Sequence, residues 1–305
     1  MDRHEATKNQ GDLFPIRTVA SETGVNPVTL RAWERRYGLI KPARTAKGHR
    51  LYSQQDVDRI NQTVSLLNRG ISISQVSRNL ERQPRKTTET DTRSCDTWTA
   101  YRARAIMAII RFDENQLNLL YNEALSLYPI DVVTEHMLLP LLVSLGERWA
   151  SSDGSIAEEH FFGAFMRNKL GARLQHLHKI STGKKLLVSC MPGEHHEIGT
   201  MLFSLAAHDH GFRIVYLGAD MPLRELMVSA KRAACDAIVI SSSVEPREQI
   251  LTQELPMLVK SSQYPVIIGG QTSIRCAEAI RRAGAHAIGT EIRDSIMRMD
   301  QILHE

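Results

Sequence analysis

Nothing in the 305-residue chain approaches the unbroken run of about 20 apolar residues that crosses a bilayer, so no membrane partner is expected. The opening stretch MDRHEATKNQGDLFP is polar and lacks the apolar core of a signal peptide, which makes the cytoplasm the expected compartment. Cysteine is scarce. Cys95, Cys190, Cys235 and Cys276 lie far apart with no CxxC pair, so neither a zinc knuckle nor a redox disulfide is expected, and the four read as reduced packing residues. There is no internal repeat and no large excess of one charge, the formal balance being +4. What is present is an ordinary globular mixture, 42% hydrophobic and 24% charged, in a chain long enough for two or three cores.

The small net charge hides an asymmetry. Residues 1–84 hold 14 Lys and Arg against 8 Asp and Glu, or +6, which leaves −2 for the rest. A basic end on a near-neutral body is the footprint of a nucleic-acid-binding domain attached to something else. Beyond a flexible N-terminal segment (1–13), three blocks separate by pattern. Residues 14–82 read as short helices around a basic hairpin. The polar, Pro-containing stretch 83–96 reads as a linker. From 97 to 181 apolar residues recur at helical spacing, as in Leu117, Leu120, Tyr121 and Ala124, and about four helices are expected, the number that makes a compact bundle. In 182–305 the apolar runs KLLVSC (185–190), RIVYLG (213–218), AIVISSS (237–243) and PVIIGG (265–270), with a last short strand at 286–290, alternate with amphipathic helices. That rhythm predicts a parallel sheet covered on both faces, a Rossmann-like (flavodoxin-like) α/β domain that binds ligands at the carboxyl ends of its strands. The fold class is therefore multidomain, α and α/β.

Residues 16–40, IRTVASETGVNPVTLRAWERRYGLI, read as helix, tight turn at Gly24, and second helix, with Asn26 suited to the N-cap and Pro27 to the first helical position. The second helix carries Thr29, Arg31, Arg35, Arg36 and Tyr37 as candidate DNA contacts, while Leu30 and Trp33 sit on another face suited to a core. Arginine on such a helix can grip phosphates or fork onto guanine edges, and the sequence does not separate the two roles. The segment KPARTAKGHRLYS (41–53) suits a β-hairpin wing that brings Arg44, His49, Arg50 and Tyr52 near phosphates. NPVTLRAWERRYGL followed by GHRLY resembles the MerR family, over about residues 14–82. The resemblance implies a winged helix-turn-helix that binds a pseudo-palindromic double-stranded DNA operator as a dimer. No long coiled coil follows it, so self-association, as dimer or tetramer, would use other surfaces. The metal-sensing cysteines of some relatives are absent, and mercury or copper sensing is not expected.

After the first α/β strand comes MPGEHHEIGT (191–200), containing Glu194-x-His196-x-x-Gly199. An imidazole on a loop at the sheet's carboxyl edge can ligate a metal, a carboxylate two residues earlier can fix its tautomer, and a glycine just beyond lets a helix start close against a large planar ligand. Ser241-Ser242-Ser243 and Gly269-Gly270 follow at later strand ends. This order resembles the cobalamin-binding domain of methionine synthase-like proteins, with Glu in place of the commoner Asp. The resemblance implies cobalamin bound base-off, His196 as lower cobalt ligand and Glu194 as its partner. It also implies that Ser241 and Ser243 contact the nucleotide tail and that Gly269 and Gly270 form the open wall beside it. His195 is the competing ligand, and the spacing to Gly199 favours His196.

The helical block contains Trp149 and, ten residues on, Glu159-His160. Read alone, these are a core Trp and a carboxylate at a helix N-terminus. Together they resemble the upper lid of B12-dependent photoreceptor regulators of the CarH/LitR type, in which the Trp packs on the upper axial group. The resemblance implies adenosylcobalamin held between bundle and sheet, promoting an oligomer that occupies an operator, with light breaking the Co–C bond. Ala150 stands where those photoreceptors often have a histidine that captures cobalt after photolysis, which puts the light response in question. The alternative is a MerR-like regulator whose C-terminal module is cobalamin-free and answers to a separate photoreceptor or signalling enzyme. An enzyme is not expected, since no substrate barrel accompanies the cobalamin module.

Overall fold

A computed structural model describes residues 13–81, 91–151, 154–176 and 182–304, without the side chains of 79–81, 91–96, 149 and 150. The expected flexible segment, except residue 13, and most of the expected linker lie outside the described residues, as do the Trp149 and Ala150 side chains. The chain divides into two compact units, Met1–Phe161 and Phe162–Glu305.

The first unit opens with β1 (Phe14–Pro15) and α1 (Ile16–Thr23), which ends on Gly24 at φ 71°, a left-handed conformation that glycine adopts without a Cβ penalty. Asn26 caps α2 (Pro27–Ala32): its side-chain oxygen accepts from the N–H groups of Val28 at 2.7 Å and Thr29 at 3.1 Å. The helix runs on as a π turn, Trp33–Tyr37. β2 (Ala43–Arg44) and β3 (Arg50–Tyr52) form the expected wing, and the small antiparallel sheet has the order β1-β3-β2. A Ser53–Asp56 capping box starts α3 (Gln54–Asn68), and α4 (Ile73–Glu81) follows.

The helical block comprises α5 (Asp91–Ile110), α6 (Glu114–Leu127), α7 (Ile130–Val133) running through a π turn at Thr134–Leu138 into α8 (Leu139–Ala150), and α9 (Ile156–Gln175). The π turn has a local cause. Pro140 lacks the N–H that would bond the His136 carbonyl, and the Arg102 guanidinium donates to that oxygen instead, at 2.8 Å. Helix α5 begins at Asp91, inside the stretch expected to be linker; from Asp91 to Ile110 the chain has no Pro or Gly to stop it. The winged domain and α5–α8 share one compact unit, and the division between units falls within α9.

The second unit alternates β4 (Lys185–Cys190), α10 (Ile198–Asp209), β5 (Arg213–Gly218), α11 (Leu223–Ala233), β6 (Ala237–Ser241), α12 (Leu255–Ser261), β7 (Val266–Gly269), α13 (Gln271–Arg275), α14 (Ala277–Arg282), β8 (His286–Gly289) and α15 (Ile292–His304). All pairings are parallel, in the order β5-β4-β6-β7-β8. Alternation along each strand supplies both faces. Leu187, Ile238, Ile240 and Ile268 pack with α11, α12 and α14, while Leu186, Val188, Val239 and Ile267 pack with α10 and α15. Each such side chain, once fully buried, contributes about 2 kcal/mol of hydrophobic stabilisation. The chain reverses its direction of travel across the sheet between β4 and β6. Crevices open at such a switch point, outside the carboxyl ends of the two strands.

Candidate functional sites

The candidate DNA-reading face keeps some of the expected residues at the surface and buries others. Arg31, Arg35, Arg36 and His49 are exposed, as are Asn26 and Val28. Thr29 and Tyr52 are fully buried, and both are corrected as candidate surface contacts. Thr29 faces α6, where its hydroxyl donates to the Leu125 carbonyl at 3.2 Å. Tyr52 lies in the core of the winged domain, and burial pushes its phenol up to about 12. Tyr37 is half-buried.

Arg44 and Arg50 turn towards Glu34, a residue the sequence reading passed over. The Glu34 carboxylate accepts from Arg44 Nη2 at 2.9 Å and from Arg50 Nε, and so ties both wing strands to the recognition helix. Burial works to raise this carboxyl, but hydrogen bonds from Arg50 and then Arg44 outweigh it and hold the group below its ordinary range. The wing's arginines thus fix its position first, and meet phosphate only in competition with Glu34.

In the second unit the switch point is built around Glu194. Its side chain is 2% exposed, and Oε1 accepts from the His196 backbone N–H at 2.8 Å and lies 2.7 Å from His196 Nδ1. Oε2 accepts from the N–H groups of Ser243 at 2.6 Å and Val244 at 3.0 Å, which joins the loop after β4 to the loop after β6. Burial raises the Glu194 carboxyl. The His196 side chain and the N–H groups of His196, Ser243 and Val244 more than offset this and hold it at about 2. An ionised carboxylate can only accept, so Nδ1 of His196 donates to it. The imidazole is 58% exposed, within reach of a ligand from solvent. The Glu194 side chain engages His196 and not His195, which separates the two histidines geometrically.

Asp220, also missed from sequence, braces this loop from the exit of β5. Its Oδ1 accepts from Gly193 N–H at 2.7 Å, and its own N–H donates to the Glu194 carbonyl at 3.0 Å. Tyr216 donates to Glu197 Oε2 at 2.9 Å, a second tie on the same loop. The neighbouring Cys190 is a packing thiol, pushed up to about 11 by burial.

The other expected residues of the sheet unit lie at and just beyond the ends of β6 and β7 and at the start of α10. Strand β6 ends at Ser241, which is half-buried, whereas Ser243 is exposed and serves Glu194 through its backbone. The strand stops short of the expected 243: the Ser242 N–H still donates to the Gly269 carbonyl at 3.1 Å, but the Ser243 N–H turns to Glu194, and Ser242 Oγ donates to the Val244 carbonyl at 2.8 Å. Gly270 sits at φ 82°, and a Cβ there would lie 2.4 Å from the Ser242 carbonyl oxygen, so close backbone packing by itself demands glycine. At Gly269 a Cβ would meet Ile288 at an ordinary 3.7 Å. Gly199, in the first turn of α10, has nothing within 4 Å of where a Cβ would stand. In the first unit Glu159 is half-exposed and His160 exposed on α9.

The model of the MerR HTH family regulatory proteins matches residues 14–83, and that of the B12 binding domain matches residues 101–174. The chain is 27% identical over 274 residues to the HTH-type transcriptional repressor CarA of Myxococcus xanthus, covering 88% of this chain and 91% of that one. It is 28% identical over 291 residues to the HTH-type transcriptional repressor CarH of the same organism, covering 91% and 95%. Among solved structures, the monomethylamine corrinoid protein of Methanosarcina barkeri aligns with a TM-score of 0.54 at 19% identity, over 67% of this chain and 99% of that one, a likeness of fold alone. The chain therefore carries a MerR-type helix-turn-helix domain joined to a B12-binding domain.

Proposed function

We propose that this chain is a transcriptional regulator whose hold on a double-stranded operator is set by cobalamin bound through His196. The observation that carries this reading is the Glu194–His196 pair at the switch point of the sheet, in a chain that also carries a winged helix-turn-helix. A histidine presented for cobalt needs its ring held by one nitrogen, and a buried anion at 2.7 Å from Nδ1 does that. The rest of the loop fits a large planar group. Gly193 and Gly199 have nothing within 4 Å of an added Cβ, so the loop and the first turn of α10 offer an open face.

Ser241 and Gly269, paired across the β6–β7 ladder, would border the tail. Adenosylcobalamin would supply a light-labile cobalt–carbon bond. The chain's own residues orient the ring through His196 and hold that histidine through Glu194. A module answering only to a protein partner has no use for this pair. The relatives CarA and CarH are repressors, and this chain is read as a regulator, not as a methyltransferase or mutase.

The test is a dark titration with adenosylcobalamin, followed by absorbance spectra and gel filtration before and after illumination. We expect a base-off spectrum with histidine ligation that His196→Ala abolishes and His195→Ala leaves in place, and an increase in assembly size on loading. A protein that stays colourless overturns the cobalamin reading. A loaded protein whose size and operator binding ignore light reduces it to a cobalamin sensor, as Ala150 in place of a second histidine would suggest.

A further inference from the structure

The recognition helix has a second face. Thr29 and Trp33, four residues apart on one side of it, are both fully buried, while Val28, Arg31 and Arg35 lie exposed on the other. The buried pair reaches out of the winged domain. Thr29 Oγ1 donates to the Leu125 carbonyl at 3.2 Å, and the Trp33 indole Nε1–H donates to the Leu127 carbonyl at 2.8 Å. Both acceptors lie in the last turn of α6, where carbonyls have no partner within their own helix. Two side chains of the DNA-reading helix therefore complete the C-terminus of a helix in the B12-binding block.

Other contacts hold the same seam. Tyr128, just past α6, lines one cavity with Ile73 at the start of α4, and His136 Nε2 lies 3.3 Å from the Asn68 carbonyl at the end of α3. Three elements of the winged domain thus meet α6 and the turn after α7. The attachment leaves the basic face open, so it does not cover what would meet DNA.

We propose that Thr29 and Trp33 are positioning residues that latch the DNA-reading helix to α6, so that reading face and helical block move as one body. In a self-associated molecule the distance and angle between two reading faces would then be set by the helical blocks, and any change in those blocks would reach the operator as a change in spacing. The inference rests on the operator-binding reading above. A duplex with two half-sites rewards a fixed spacing because the second contact is made at high effective concentration, whereas a single half-site takes no notice of it.

The experiment uses the full-length chain, Trp33→Phe and Tyr128→Phe. The first removes the indole donor and keeps most of the bulk; the second loosens the seam from the side that carries no DNA-facing residue. The probes are duplexes that the wild-type protein selects from a random pool, used with both half-sites and with one. We expect each variant to weaken binding of the paired duplex at least about tenfold, with the single half-site changed by less than about twofold. In 15N-tryptophan-labelled wild-type protein, the Trp33 indole proton should stay protected from solvent exchange when the paired duplex binds.

Equal weakening on both probes, tighter binding to either, no change on either, or loss of indole protection on DNA would each overturn the latch. If the wild-type chain selects no duplex at all, the operator reading fails and the latch falls with it.

Discussion

Replacing Glu194 with Gln should cost the sheet unit about 3 kcal/mol at neutral pH, and two routes lead to that figure. Holding a carboxyl at about 2 in place of 4.5 corresponds to roughly 3 kcal/mol of preferential stabilisation of its ionised form in the fold. The group is 2% exposed, so solvent does not screen that preference away. The second route counts donors. Gln has the shape of Glu, but its nitrogen must face either the His196 pair or the Ser243 and Val244 pair. Whichever side it takes, two donors lose their acceptor and confront another donor, at about 1–2 kcal/mol each. For a domain of this size that lowers the melting temperature by roughly 10 °C.

The pH dependence has a fixed sign. Because folding depresses this carboxyl, its contribution is complete above the ordinary 4.5 and is lost as pH falls towards about 2. Wild type should therefore lose its advantage over the Gln variant across that window. Circular dichroism melts between pH 7 and pH 3, together with hydrogen exchange at the Ser243 and Val244 amides, measure both effects. A variant that melts within about 2 °C of wild type at pH 7, or a gap that fails to narrow on acidification, refutes the reasoning.

Two glycines should respond in opposite ways. Gly270→Ala forces a Cβ to 2.4 Å from the Ser242 carbonyl at φ 82° and should destabilise the sheet unit by at least about 2–3 kcal/mol in denaturant titrations. Gly199→Ala meets nothing within 4 Å and should leave stability equal or higher by up to about 1 kcal/mol, while weakening cobalamin uptake measured by absorbance; unimpaired uptake would remove Gly199 from the ligand face. On the DNA side, the exposed Arg31 is expected to meet phosphate, so Arg31→Ala should lower the salt slope of operator binding by about one while sparing sequence preference. An unchanged slope with relaxed preference would assign it to a base edge.

Features set by near neighbours were readable from the sequence. Asn26 and Pro27 announce the start of α2, and the apolar runs from Lys185 and Ala237 announce β4 and β6, because capping and strand burial act over a few residues. The spacing Glu194-x-His196 also exposed the local half of its site. The other half was hidden: the same carboxylate holds Ser243 and Val244, 49 and 50 residues away, and no short motif encodes that reach. Glu34 among arginines reads as a solvated charge until the wing folds back onto it. Thr29 reads as a surface hydroxyl on an amphipathic helix, and only a contact 96 residues distant turns it inward. Asp220 is a loop aspartate in sequence and a brace in the fold, for the same reason.

Glu34 and Glu194 do one job in two places. Each working face must join a helical or strand-end segment to a loop brought from elsewhere in the chain. A mostly buried carboxylate solves this because each of its two oxygens can accept from a different segment, and charge-assisted bonds hold better than neutral ones. In the winged domain the two donors are side chains, so Glu34 fixes position at the expense of positive charge: Arg44 and Arg50 are partly neutralised, and on the proposed reading the exposed Arg31, Arg35 and Arg36 would carry the attraction for DNA. In the sheet unit three donors are backbone amides and the fourth is the imidazole itself, so Glu194 fixes the two loops and the orientation of His196 together. The difference predicts where each face tolerates change. The wing can exchange one arginine for another cation and keep its shape, whereas no side chain but an ionised carboxylate satisfies the four donors that converge on Glu194.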